Sequence, residues 1–127
     1  MAKILVVDDE RSIRNSMKEV LEFEGHVVTL AEDGETGLKE AEKEQFDLVF
    51  SDIKMPKMDG IELLAKMRQL QPSTKMILIS GHGTIETAVQ CMRNGAFDFI
   101  EKPMNLNRLL QAPAYHYRLQ RRRPAMD

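Results

Sequence analysis

The chain has 127 residues, 43% hydrophobic and 30% charged, a balance that suits one domain with a single core and excludes a long disordered or fibrous chain. Its net charge of −2 excludes a global attraction to nucleic acid or anionic membrane, and no apolar stretch approaches the length of a membrane span. No secretory signal precedes the first apolar run, and the single Cys91 excludes an internal disulfide, so a cytoplasmic location is expected.

Strand and helix signals alternate along the chain. The run Ile4–Val7 predicts a first strand that ends on Asp8 and Asp9. Ile13, Met17, Val20 and Leu21 then share one helical face, and Gly25 supplies a stop. Val27–Leu30 predicts a second strand, followed by a narrower helical stripe of Gly37, Leu38 and Ala41. The third strand, Leu48–Ser51, runs into Asp52. Its helix is marked by Ile61, Leu64 and Met67, with Asp59 in the N-cap position and Pro72 beyond the end. Met76–Ile79 predicts the fourth strand and delivers Ser80 and Gly81. Ile85, Ala88, Val89 and Met92 mark a fourth helix closed by Asn94-Gly95. Phe97–Ile100 predicts a fifth strand that leads to Lys102-Pro103. Leu106, Leu109 and Leu110 begin a last helix that Pro113 stops or kinks. The division expected is a domain over 1–111 and a basic tail, or the start of a linker, over 112–127. That tail carries Arg118, Arg121, Arg122 and Arg123, and it reads as a solvated end rather than a nucleic-acid contact.

Five apolar strands with intervening helices imply a parallel sheet covered on both faces, an α/β fold. Parallel strands share an edge at their C-terminal ends. That edge then collects Asp8, Asp9 and Asp52, three acids whose mutual repulsion calls for a cation. An all-oxygen site favours a hard one such as Mg²⁺. Ser80 adds a hydroxyl and Lys102 an ammonium at the same edge. This inventory suits phosphoryl transfer onto a carboxylate. Such transfer needs a nucleophile (Asp52), charge neutralisation on the phosphoryl oxygens (Lys102, Ser80) and a bridging metal (held by Asp8 and Asp9).

These residues, with the stretches Ile4–Asp9, Asp52–Gly60, Ile79–Gly83 and Phe97–Pro103, resemble the response-regulator receiver domain of two-component signalling. Ser80-Gly81-His82-Gly83 and Asn94–Ile100 are most similar to receivers of nitrogen-regulator type, which are usually fused to an ATPase that activates alternative-sigma-factor transcription and to a DNA-binding domain. The resemblance implies a flavodoxin-like (βα)5 three-layer sandwich with strand order 2-1-3-4-5. It implies that Asp52 accepts a phosphoryl group from a sensor histidine kinase. Asp9, Asp8, Asp52 and the backbone carbonyl of Lys54 would hold Mg²⁺, and Lys102, followed by a cis peptide to Pro103, would contact the phosphoryl group. Ser80 and Phe99 would form a switch pair, with Phe99 held by packing alone because it lacks a hydroxyl. Lys54 and His82 would hinder the hydrolytic water. The surface of the fourth helix, fifth strand and fifth helix would serve a homodimer or partner, altered here by Pro113. The domain would bind no nucleic acid directly, regulate transcription through an output domain elsewhere, and turn over no external substrate, so it is not expected to be an enzyme.

Plainer roles exist for each residue. Asp8 and Asp9 could cap a helix, Asp52 could form an Asx turn, Ser80 could satisfy a local backbone group, and Phe99 could be core. His82 has no second His or Cys at zinc spacing, and Cys91 has no neighbouring base and is expected only to pack. Two other functions use similar features. An aspartyl-phosphate phosphatase generally places an acid two residues after its nucleophile, where this chain has Lys54. A flavin carrier needs a phosphate-cradling first loop, where this chain has Asp8-Asp9-Glu10.

Overall fold

The computed structural model describes residues 1–103. The expected last helix, its break at Pro113 and the basic tail lie outside the described residues. Within them, β1 (Lys3–Val7), α1 (Arg11–Phe23), β2 (Val27–Ala31), α2 (Gly34–Lys43), β3 (Leu48–Asp52), α3 (Gly60–Leu70), β4 (Lys75–Ser80), α4 (Ile85–Arg93) and β5 (Asp98–Glu101) alternate as the apolar pattern predicts. The five strands pair in parallel in the order β2-β1-β3-β4-β5. The order reverses direction between β1 and β3, which opens a crevice at the C-terminal ends of those two strands.

Because successive strand residues face opposite sides, each apolar run feeds two cores. Leu5, Val7, Val49 and Leu78 face one way and pack with Ala41 of α2, Leu63, Leu64 and Met67 of α3, and Cys91 of α4. Ile4, Val6, Leu48, Phe50, Ile77 and Ile79 face the other way and pack with Met17 and Leu21 of α1. Most of these side chains are fully buried, each worth about 1.5–3 kcal/mol by transfer from water. Strands apolar on both sides read as continuous runs, and this is why the sheet was visible in the sequence.

The helix signals need two corrections. α4 does not bury the stripe expected of it: Ile85, Val89 and Met92 are exposed, and the helix seats Cys91 in the core instead. α3 buries Leu63, which the expected stripe omitted. The stops behave as expected. Gly25 and Gly95 take positive φ (91° and 98°), a conformation that carries no Cβ penalty for glycine, and their N–H groups close on Glu22 and Met92 carbonyls. Asp59 caps α3 by accepting from the Glu62 N–H at 2.8 Å, and Asp33 and Thr84 cap α2 and α4 in the same manner.

The pole of the sheet opposite the crevice is tied by one buried amide that sequence reasoning passed over. Gln71 Nε2 donates to the carbonyls of Ala41 (2.6 Å) and Glu44 (2.8 Å). Its Oε1 accepts from the Phe46 N–H and the Thr74 hydroxyl. The end of α2, the approach to β3 and the approach to β4 therefore meet at one neutral side chain. Nearby, His26 accepts the Ala2 N–H at Nδ1 (3.0 Å), a bond that requires an unprotonated ring nitrogen. Burial, and secondarily the amino terminus, hold this imidazole below its ordinary pKa.

A lowered folded-state pKa means the unfolded chain takes up the His26 proton first, so stability should fall as pH drops through about 6.5. Melting curves at pH 7.5 and 5.5 should show a larger acid loss for the wild type than for His26→Gln, whose amide oxygen accepts the same bond without titrating.

Candidate functional site

The C-terminal strand ends bring together Asp8, Asp52 and Lys102 of the side chains that the sequence analysis singled out. Asp8 follows β1 and is buried, with Oδ1 accepting the Glu10 N–H at 2.8 Å. Its backbone carbonyl accepts from Arg14 of α1 at 2.7 Å, which fixes the loop against the helix. Asp9 and Glu10 are exposed, and Glu10, not Asp8 or Asp9, holds the N-cap position of α1 without a side-chain cap. Asp52 closes β3 and is buried. The next residues turn back so tightly that Gly60 donates to the Ile53 carbonyl at 2.8 Å, and a Cβ on Gly60 would collide with the Asp52 carbonyl oxygen. The acceptor loop is thus welded to the start of α3. Lys54, two residues beyond Asp52, is exposed on that loop.

Lys102 arrives from the end of β5. Its N–H donates to the Ser80 carbonyl at 2.8 Å, and the peptide to Pro103 is cis, as the resemblance implied. The ammonium lies 3.3 Å from Asp8 Oδ2, 3.4 Å from Asp52 Oδ2 and 3.9 Å from Glu10 Oε1. Burial lowers the Lys102 pKa, but Asp52 and Asp8 outweigh it and the net shift is upward. Asp52 is also shifted upward, by burial and then by the charge of Asp8, with Lys102 offsetting only part of this. The ionised Asp52 is therefore held under repulsion that one ammonium does not remove.

Ser80 is buried at the end of β4, and its Oγ accepts the His82 N–H at 3.1 Å; the local backbone role and a place at the crevice coexist. Phe99 is half-buried on β5 and packs against the core beneath α4. His82 is exposed. Sequence reasoning missed Glu10 and Arg14. Ligand atoms of Asp8, Asp9 and Glu10 lie within 4.8 Å of one another, so the carboxylate group extends one residue beyond the expected pair. Its only available signal was the unbroken acidic triplet after an apolar run.

The donor set fits a hard divalent cation. Its side-chain oxygens are carboxylates, those of Asp8, Asp9 and Glu10 grouped together and that of Asp52 joined to Asp8 through Lys102, and these acids outnumber the ammonium that pairs with them. No helix among the described residues is long and apolar enough to cross a membrane.

A parallel sheet of order β2-β1-β3-β4-β5 with an acidic crevice at its switch point defines a flavodoxin-like α/β domain. The chain belongs to the response regulator receiver domain family, whose model matches residues 4–114. It is 39% identical over 109 residues to the C4-dicarboxylate transport transcriptional regulatory protein DctD of Rhizobium meliloti, covering 86% of this chain. It is 42% identical over 109 residues to the nitrogen assimilation regulatory protein NtrX of Azorhizobium caulinodans, covering 84% of this chain. The chain spans 24% of the length of each of these relatives. The crystal structure of a CheY-like receiver domain protein from Methanospirillum hungatei superposes with a TM-score of 0.91 at 38% identity, over 97% of this chain and 98% of that one. The expected fold and its strand order are thereby established, and so is the likeness to nitrogen-regulator receivers. Domains of this family are generally signalling modules that bind Mg²⁺ at an acidic pocket and work with histidine kinases and output domains.

The raised pKa of Asp52 gives a test independent of any phosphoryl donor. Replacement by Asn removes a charge the fold disfavours, so Asp52→Asn should melt a few degrees higher than the metal-free wild type at neutral pH. The sign follows from linkage: a carboxyl with a raised folded pKa loses stability as pH climbs above the ordinary carboxylate range. The gap between variant and wild type should therefore close in acid, as thermal melts across that range would show.

Proposed function

We propose that this domain is the phosphorylation-controlled switch of a transcriptional regulator, with Asp52 as the phosphoryl acceptor. The observation that carries this reading is the shared position of Lys102 between Asp8 and Asp52 at the crevice. An ammonium held there can neutralise an incoming phosphoryl oxygen as soon as Asp52 attacks. The buried Asp52 carboxylate is the nucleophile, and the phosphoryl group leaves a histidine of the sensor kinase as the new acyl phosphate bond forms. Asp8 and Asp9, with Asp52 and the Lys54 carbonyl, would hold Mg²⁺. When bound, that ion relieves the repulsion among the acids and neutralises phosphoryl charge. Ser80 then exchanges its bond to the His82 N–H for one to the phosphoryl group, and Phe99 repacks in the space that opens.

Residues 1–111 make up the receiver on this reading, and 112–127 form a basic tail or the start of a linker. The exposed Ile85, Val89 and Met92 on α4 support the fourth-helix region as the surface for an output domain or a second copy. The domain acts in the cytoplasm and turns over no external substrate. The loop Asp8-Asp9-Glu10 argues against flavin, since it would repel a phosphate, and Lys54 argues against a phosphatase.

Incubation with acetyl phosphate and Mg²⁺, followed by intact mass, should add one phosphoryl group to the wild type and none to Asp52→Asn. Lys102→Ala should slow uptake by about a hundredfold, in line with the loss of one transition-state partner in a water-poor site. Omitting Mg²⁺ should abolish uptake, and adding it should raise the melting temperature of the wild type. Uptake by Asp52→Asn equal to that of the wild type would overturn the assignment.

A further inference from the structure

The chain leaves β4 at Ser80 and enters α4 at Ile85, with only four residues between them. In that short crossing it passes over one face of the sheet's edge strand β5. Phe99 and Glu101 alternate onto the same face of β5, opposite Ile100, which belongs to the other core. Gly83 lies directly on those two side chains. A Cβ placed there would sit 2.9 Å from Phe99 Cζ, 3.1 Å from Phe99 Cε1 and 3.1 Å from Glu101 Cγ. Real Cβ atoms do not approach a ring carbon at the first of these distances, so any side chain at position 83 must displace the ring, the loop or both. Gly83 has no positive φ, so its glycine is required by this contact and not by its backbone conformation.

Both ends of the crossing are anchored. Ser80 holds the His82 N–H through its hydroxyl and the Lys102 N–H through its carbonyl, and Thr84 caps α4 by accepting the Thr87 N–H at 3.1 Å. The ring has no hydroxyl, so among the described residues it is held by packing against this loop and the core below α4.

We infer that Gly83 is a positioning residue of the switch: its missing side chain seats the β4–α4 loop on the Phe99 ring, so that ring and loop change place together. The inference rests on the reading of Ser80 and Phe99 as a switch pair. It adds a determinant one residue beyond His82, whose N–H Ser80 holds. A methyl at position 83 crowds the resting arrangement and shifts the population toward the one favoured by phosphorylation. Glu101 is exposed and can move aside at little cost, so the contact that remains to be relieved is the one with the Phe99 ring.

The test compares wild type, Gly83→Ala, Phe99→Leu and the double variant, each labelled with fluorophenylalanine for fluorine NMR. Phe99→Leu identifies the resonance of ring 99 among the five phenylalanines. In the unphosphorylated protein, Gly83→Ala should move that resonance and leave Phe46 and Phe50 in place. With acetyl phosphate and Mg²⁺, the same variant should speed phosphoryl uptake by about threefold or more, and in the Phe99→Leu background that gain should fall below about twofold. An unmoved ring 99, or an equal rate change with and without the ring, would overturn the inference. Absence of uptake in every variant would sink the phosphoryl-acceptor reading, while the ring resonance would still decide the seat. If Gly83→Ala alone fails to fold, rescue by Phe99→Leu supports the contact, and a double variant that also fails overturns it.

Discussion

The site is organised around one ammonium group. Lys102 reaches two buried carboxylates, Asp8 at 3.3 Å and Asp52 at 3.4 Å, that come from different strands and are far from it in sequence. Only a parallel sheet, in which every strand delivers its last residue to the same rim, can bring these groups together without a dedicated loop. A carboxylate buried without a partner is costly, and two such groups side by side are costlier. The shared lysine makes the arrangement tolerable without making it comfortable, since Asp52 remains shifted toward its protonated form by burial and by Asp8. A carboxylate in that condition favours any event that brings further positive charge or disperses its own.

The rest of the rim is built to keep this arrangement in register. Arg14 clamps the carbonyl of Asp8, Gly60 holds the strand–helix turn after Asp52, and Ser80 fastens both His82 and Lys102 through two different oxygens. None of these contacts is strong alone, at about 0.5–1.5 kcal/mol net for an ordinary hydrogen bond. Their value is geometric. They leave the acceptor, the ammonium and the hydroxyl as parts of a single assembly across β1, β3, β4 and β5.

How much of this was legible follows from the kind of signal each part leaves. Buried parallel strands print themselves as short apolar runs, so Ile4–Val7 and Leu48–Ser51 announced both the sheet and the positions of Asp8 and Asp52. The fifth strand was read one residue early because Phe97 is apolar and half-buried while the ladder begins at Asp98. α4 misled for a physical reason: apolar periodicity marks a face that avoids water or meets a partner, and nothing in the periodicity distinguishes the two. Ile85, Val89 and Met92 lie on the open side, and Cys91 with half-buried Ala88 provides the inner contact. Gln71, Arg14 and Gly83 act through single contacts to distant backbone or ring atoms, which have no periodic trace in a sequence.

The amide knot at Gln71 has a bearing on the opposite end of the molecule. Its hydrogen bonds carry no net charge, so neither a proton nor added salt loosens them, and they tie the end of α2 to the approaches of β3 and β4. Of the helices beside β4 and β5, α4 has an apolar outer surface and buries only Cys91 in the core. On the proposed switch reading, a change at the charged rim meets its least anchored neighbour at α4 rather than at the base of the sheet.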